Sequence, residues 1–216
     1  MPYQTAIFDL DGTLLDTLED LYRAVNTALS AHSLPLRSRD EVRTFVGDGV
    51  EMLVRRAVPA GCDEETTLSA LACFKTRYAA TCKDHTSPYG GVLPLLTALR
   101  ERGIHVAVVS NKFDAATKAL CVEYFGDLVE VAIGERAGVR KKPAPDTVYE
   151  ALKELGVTAE GAVYVGDSDV DIRTAENCGM PCISVTWGLR DKDFLIENGA
   201  KALVDTPESL LEVIIV

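Results

Sequence analysis

The stretch QTAIFDLDGTLLDT, residues 4–17, decides how the rest of the chain is read. Gln4–Leu10 is an almost unbroken apolar run, the pattern of a strand buried on both faces in a parallel sheet. At its end stand Asp9 and Asp11, followed by Gly12 and Thr13. Aspartate is a poor strand residue and two close carboxylates repel each other, so this ending needs a chemical reason. In extended chain, residues i and i+2 point to the same side, so both acids face one place.

Four further runs read as strands: Ile104–Ser110, Leu128–Ile133, Ala162–Gly166 and Cys182–Thr186, with a weaker one at Ala202–Val204. Between them lie helical patterns at Leu93–Arg102, Ala115–Tyr124, Pro145–Leu155 and Asp169–Cys178; Gly103, Gly156 and Gly179 serve as stops. This alternation predicts an α/β fold, a doubly wound parallel sheet with a Rossmann-like core. From Asp16 to Asp84 the pattern is helical and contains no strand. Val50–Ala57 and Thr66–Thr81 are helix candidates, and Thr17 to Asp20 (TLED) resembles a capping box with aspartate in place of glutamate. The chain is therefore expected to divide into an α/β core, residues 1–15 and 85–216, and a small all-helical cap subdomain, residues 16–84, inserted after the first strand. Asp16 and Thr17 are hinge and helix-capping candidates. Ligands bind at the carboxyl edge of open α/β sheets, so such an insert is expected to cover the site.

Composition narrows the function. The 216 residues are 47% hydrophobic and 25% charged, an ordinary globular balance, and the net charge is −11. An acidic chain has no general attraction for nucleic acid or anionic lipid, so neither is an expected partner. No run of about 18 apolar residues predicts a membrane span, and the N-terminal residues lack the pattern of a signal peptide; a cytoplasmic protein is expected. Cys62, Cys73, Cys82, Cys121, Cys178 and Cys182 form no CxxC pair and read as small apolar residues in a reducing compartment. His32, His85 and His105 show no metal-ligand spacing. Oligomeric state leaves no mark on the sequence.

Four polar signals follow the strands: Asp9 to Thr13, Ser110-Asn111-Lys112, Lys142-Pro143, and the run from Gly166 through Asp167 to Asp171. The carboxyl ends of neighbouring parallel strands lie side by side, so these residues are expected to converge. Asp9, Asp11, Asp167 and Asp171 in one crevice repel unless a cation joins them, and Mg²⁺, a hard ion that takes carboxylate, water and phosphate oxygens, is the natural choice. Such an ion also draws an anionic phosphate into an acidic protein, so the expected partner is a small phosphorylated metabolite. Ser110 can donate to a phosphate oxygen and Lys142 can neutralise charge on the transferring group. Gly12 and Thr13 let backbone N–H groups turn toward the phosphate. One aspartate can attack phosphorus while the other carries the proton; spacing alone leaves their order open.

Plainer readings exist for each signal. Asp11-Gly12 is also a turn pair, Ser110-Asn111 also a helix cap, and Lys142 also an ordinary loop lysine, although Pro143 holds it in extended chain. Asn111, Gly47 of the loop Gly47-Asp48-Gly49, and Arg56 join Gly12 and Thr13 as candidate substrate-binding residues. That loop is otherwise a helix connection; Arg43, Arg55 and Arg56 could bind a substrate carboxylate, and otherwise read as a solvated helix face.

In this order, DLDGT (9–13), VSN (109–111), KKP (141–143) and GDSDVD (166–171) resemble the motifs of the haloacid dehalogenase-like hydrolase superfamily, and the resemblance spans the chain. It implies Asp9 as nucleophile, Asp11 as general acid and base, and Ser110 and Lys142 as the phosphate-holding pair. It implies Mg²⁺ held by Asp9, the backbone carbonyl of Asp11, and Asp167. Asp171 is implied as an outer ligand or as the partner that orients Lys142, and the helical insert as a mobile cap. An acid two residues after the nucleophile implies a phosphatase or phosphomutase. FVGDGVEMLVRRA (45–57) and SNK (110–112) resemble the phosphoglycolate phosphatase group. The expected function is a Mg²⁺-dependent phosphatase acting through an aspartyl-phosphate on a small phosphomonoester, 2-phosphoglycolate foremost. A sugar phosphomutase is an alternative, weakened because such enzymes tend to carry an arginine near Gly49, where Val50 and Glu51 stand here. A pyrophosphatase is another. A non-catalytic phosphate sensor or partner-binding protein is a third, and Asp11 argues against it, since a pure binder has no need of a proton carrier.

Overall fold

Thr5, Ala6, Ile7 and Phe8 are all buried, and this short strand, β1 (Thr5–Phe8), is the centre of the sheet. The computed structural model describes residues 2–216. After β1 the chain passes through the two-residue strand β2 (Leu15–Asp16) into helices α1 (Leu18–Ala31), α2 (Arg39–Phe45), α3 (Val50–Ala57) and α4 (Glu64–Thr81). It returns through β3 (Ser87–Pro88), which pairs with β2. Then follow α5 (Val92–Glu101), β4 (His105–Phe113), α6 (Asp114–Phe125), β5 (Val131–Glu135), α7 (Asp146–Leu155), β6 (Ala162–Gly166), α8 (Asp169–Cys178), β7 (Cys182–Val185), α9 (Lys192–Glu197), β8 (Leu203–Val204) and α10 (Pro207–Ile215). Two compact units result: the residues up to Leu15 together with Pro88–Val216, and Asp16–Ser87.

In the first unit the sheet has six strands in the order β5-β4-β1-β6-β7-β8, parallel at every pairing. This is the expected doubly wound α/β class. Ile7 lies beside Ala107 and Tyr164, and Phe8 beside Val108 and Val165. That register brings the ends of β1 and β6 level, while β4 runs on past them to Phe113. Ile7, Val109, Ile133, Val148, Ala151 and Tyr164 belong to one buried cluster; each valine or isoleucine of it contributes about 1.5–3 kcal/mol by leaving water. Asp9 continues the ladder, its N–H donating to the Val165 carbonyl at 2.9 Å.

Most expected elements match within one or two residues; two do not. The β4 strand does not end at Ser110 but runs through the polar motif to Phe113, where it pairs with Glu135 after a register irregularity beyond Val109. Ser110-Asn111 therefore does not cap α6: its N-cap is Phe113, without a side-chain bond. The strand expected at Leu128–Ile133 starts only at Val131, because Gly126–Leu128 closes a 3₁₀ turn.

In the second unit α1 buries Leu18, Leu21, Ala24, Val25, Ala28 and Leu29 along one stripe and packs against α2 and α4. The capping box expected from Thr17 to Asp20 does not form: Thr17 makes no side-chain cap bond. Asp16 takes that task by accepting from the Leu18 N–H at 3.2 Å. Asp20 is drawn away by tertiary contacts, accepting from the His85 and Thr86 N–H groups and from the Thr86 hydroxyl at 2.9–3.1 Å. A capping box does form one helix later, from Ser38 to Glu41. Because Asp20 is buried, Asp20→Ala strands these donors without an acceptor. It is expected to cost about 3 kcal/mol, read as a fall of about 6–12 °C in the melting temperature.

No described helix is long and apolar enough to cross a membrane. All six cysteines are free thiols. Cys121 and Cys178 are buried, and burial pushes their thiols up to about 12 and about 11. Burial likewise pushes Cys182 up to about 12. Cys62, Cys73 and Cys82 lie half-buried in the helical unit.

Candidate active site

One edge of the sheet brings together residues more than 160 positions apart. Asp9 and Asp11 follow β1, Ser110, Asn111 and Lys112 lie in the last part of β4, and Asp167 follows β6. Lys142 arrives from the loop before α7, and Asp171 from the first turn of α8. All but Asp11 are buried.

Lys142 is the hub. Its ammonium lies 2.9 Å from Asp9 Oδ1 and 2.8 Å from Asp171 Oδ1, and donates to the Tyr164 hydroxyl at 2.9 Å. Tyr164 in turn donates to Asp171 Oδ1, while Asp171 Oδ2 accepts from the Ser168 N–H and hydroxyl. Both Asp171 oxygens are thus engaged in holding Lys142 and the start of α8. Of its two implied roles, this geometry favours orienting Lys142. Burial opposes the charge on Lys142, but the Asp171 and Asp9 carboxylates outweigh it and hold the ammonium well above its ordinary range.

Asp167 Oδ1 accepts from the Thr13 hydroxyl at 3.1 Å, and Oδ2 from the Leu189 N–H at 2.6 Å. Thr13 is therefore a support of Asp167 as well as a candidate phosphate contact. Gly12 has a positive φ of 91°, and a Cβ there would sit 2.4 Å from Asp167 Oδ2. Gly188 closes the same gap from the other side, where a Cβ would lie 2.3 Å from the Gly12 carbonyl. Both positions need glycine so that backbone can press on the acid. The Trp187 indole N–H, donating to the Thr13 carbonyl at 3.0 Å, pins this contact. Asn111 donates to the Lys142 carbonyl at 3.0 Å, joining two of the motifs.

Asp9, Asp167 and Asp171 can offer oxygens all within 4.8 Å of one another. Burial, with the Asp171 and Asp167 charges, pushes Asp9 up to about 8 against the pull of Lys142. Burial and Asp171 push Asp167 up to about 7, against the Leu189 N–H, the Thr13 hydroxyl and the charge of Arg190. Lys142 offsets only part of this crowding, and the carboxylates are hard oxygen donors. The residues fit a small divalent cation. Asp11 is not in this cluster: its carboxylate accepts from Lys112 Nζ through both oxygens, at 2.7 and 2.9 Å.

Gly47 and Arg56 belong to the helical unit. Arg56 donates to the Phe45 carbonyl at 3.0 Å and to Asp48 at 2.5 Å, tying down the loop that contains Gly47. Arg55 is paired with Glu51 and Glu64. Tyr164 and Gly188 were not among the site residues expected from sequence, and neither carried a signal there. Lys112 stood in the second polar signal and in SNK (110–112), but with no role of its own.

A family profile described as haloacid dehalogenase-like hydrolase matches residues 6–185. A phosphoglycolate phosphatase of Rhodospirillum rubrum is 35% identical over 96% of this chain and 89% of its own. One from Pseudomonas savastanoi is 32% identical over 95% and 77%. A solved structure from Lactobacillus delbrueckii, described as a "putative phosphoglycolate phosphatase", superposes with a TM-score of 0.94 at 38% identity and covers 100% of this chain and 99% of its own. With its motifs on the expected strand ends and the profile spanning most of its length, the chain belongs to the haloacid dehalogenase-like hydrolase family.

Proposed function

We propose that the protein is a Mg²⁺-dependent phosphatase that hydrolyses a small phosphomonoester, 2-phosphoglycolate, through an aspartyl-phosphate on Asp9. The observation that carries this reading is the buried Lys142 ammonium held 2.9 Å from Asp9 Oδ1 by Asp171 and Tyr164, a cation fixed beside a carboxylate at a strand end. The relatives that are phosphoglycolate phosphatases by name support the choice of substrate.

In this mechanism Asp9 forms the new bond to phosphorus as the bond from phosphorus to the alcohol oxygen breaks, and Asp11 gives its proton to that oxygen. Asp11 then takes a proton from water. The water oxygen attacks phosphorus, the Asp9–phosphorus bond breaks, and orthophosphate leaves. Ser110, the Asn111 amide and the backbone at Gly12 and Thr13 hold the phosphoryl oxygens, and Lys142 offsets the charge that builds on them. Asp9 and Asp167, with the backbone carbonyl of Asp11, would hold Mg²⁺, which supplies charge neutralisation for the incoming phosphate. The helical unit, with its Gly47 loop stapled by Arg56, is the cap in this reading and shares in setting specificity.

Initial rates with 2-phosphoglycolate, sugar phosphates, nucleotides and pyrophosphate, each with Mg²⁺ and with EDTA, test it. Metal-dependent release of phosphate is expected, fastest from 2-phosphoglycolate. Preferred turnover of pyrophosphate, or a sugar bisphosphate product, would replace the reading with one of its alternatives. Phosphate binding without turnover of any ester would make the protein a sensor.

A further inference from the structure

We propose that Lys112 selects the substrate: its ammonium exchanges Asp11 for a second anionic group carried one carbon away from the ester oxygen. The inference rests on the phosphatase reading above.

Lys112 stands two residues beyond Ser110 on the irregular end of β4, and its N–H donates to Ser110 Oγ at 3.2 Å. The expected phosphate-holding hydroxyl and this ammonium are therefore carried by one three-residue segment. The backbone of Lys112 is wedged in place: its carbonyl accepts from the Thr117 hydroxyl at 3.3 Å, and a Cβ on Gly134 would lie 2.6 Å from it. The Lys112 side chain is 2% exposed and that of Asp11 13%, so the carboxylate is the member of the pair nearer to solvent.

A buried ammonium gripped by both oxygens of one carboxylate does not give that carboxylate up without a replacement anion. The proton-carrying role needs the Asp11 carboxyl to turn to the ester oxygen. In the reading above, a substrate with only a phosphoryl group has its anionic oxygens engaged by Ser110, Asn111, Lys142 and the backbone at Gly12 and Thr13, and brings no second anion to Lys112. A substrate with a carboxylate next to the ester carbon brings an anion toward the place that Asp11 leaves, because Lys112 Nζ lies 2.7–2.9 Å from the same Asp11 oxygens that serve the ester oxygen in this reading. The ion pair thus makes the freedom of Asp11 conditional on the second charge of the substrate.

The test compares 2-phosphoglycolate with ethyl phosphate, in which a methyl group replaces the carboxylate, on the unaltered protein, Lys112→Met and Lys112→Arg. The unaltered protein is expected to prefer 2-phosphoglycolate in kcat/KM by about 10–100-fold, the worth of one charge-assisted hydrogen bond. Lys112→Met should bring the ratio near one, with the loss falling on 2-phosphoglycolate, and Lys112→Arg should keep part of the preference. A ratio near one in the unaltered protein overturns the inference without any variant. So does a preference that survives in Lys112→Met, or an equal fall on both substrates, which would leave Lys112 as a support of Asp11 only. Should Lys112→Met fail to fold, an unchanged ratio in Lys112→Arg overturns it and a reduced ratio supports it. Turnover of neither ester overturns both the phosphatase reading and this inference, whereas turnover of both with equal efficiency overturns the inference alone.

Discussion

Replacing Asp9 by asparagine is expected to lower kcat by about 10⁴-fold or more on any phosphomonoester, in line with loss of a nucleophile elsewhere. An amide cannot form the acyl-phosphate, while its size and shape match the carboxylate, so the surrounding contacts stay. The protein should remain folded, and it should gain stability under one condition. Asp9 is raised from 3.8 to about 8 by burial and its acidic neighbours. The fold therefore favours the neutral carboxyl, and without metal this costs stability progressively as pH rises from about 4 toward 8. Asparagine is neutral throughout. In EDTA the Asp9→Asn protein should melt above the unaltered one at pH 8, and the gap should close toward pH 4. A divalent cation should shrink the gap at pH 8 by stabilising the unaltered protein. Melting curves at two pH values, with and without metal, read this out. Full retained turnover in Asp9→Asn would sink the mechanism.

Lys142→Met is expected to lose both rate and stability. The side chain is 2% exposed and contacts Asp9, Asp171 and Tyr164. Removing it leaves the buried Asp171 carboxylate, with Asp9 beside it, without its cation, which costs about 3–5 kcal/mol. A drop of about 10 °C in melting temperature follows for a chain of this size. The rate should fall by about 10³-fold, the effect of losing one preorganised donor at the reacting group. Added divalent cation should restore part of the stability, because it neutralises the same acids, but little of the rate. Lys142→Arg should not substitute, since a planar guanidinium does not fit a point held by three partners. A variant that melts normally and retains its rate would remove Lys142 from the site.

Several features could be read from the sequence because a single local pattern determines them. β6 and α8 fall on the expected residues: one is a short apolar run, the other a helical pattern between Ser168 and the stop at Gly179. The meeting of Asp9 and Asp167 followed from parallel topology, since β1 and β6 are neighbours that end at the same edge; Lys142 reaches them from the loop between β5 and α7. What misled was local pattern overridden by tertiary partners. TLED has the spacing of a cap, but the buried N–H groups of His85 and Thr86 compete better for Asp20. Gly188 and Tyr164 were illegible for a different reason. One matters only because Gly12 and Asp167 press against it, and the other reads as a core aromatic until its hydroxyl meets Lys142.

The distribution of thiols offers an experimental handle. Only the thiolate reacts with maleimides and iodoacetamides, and burial keeps Cys121, Cys178 and Cys182 in the protonated form at neutral pH. The remaining sulfhydryls, Cys62, Cys73 and Cys82, all belong to the helical unit. A thiol-directed fluorophore should therefore mark that unit and spare the sheet in unaltered protein, with no engineered attachment point. Stopped-flow recording of such a label during turnover would give a direct optical signal of what the helices do while phosphate is released.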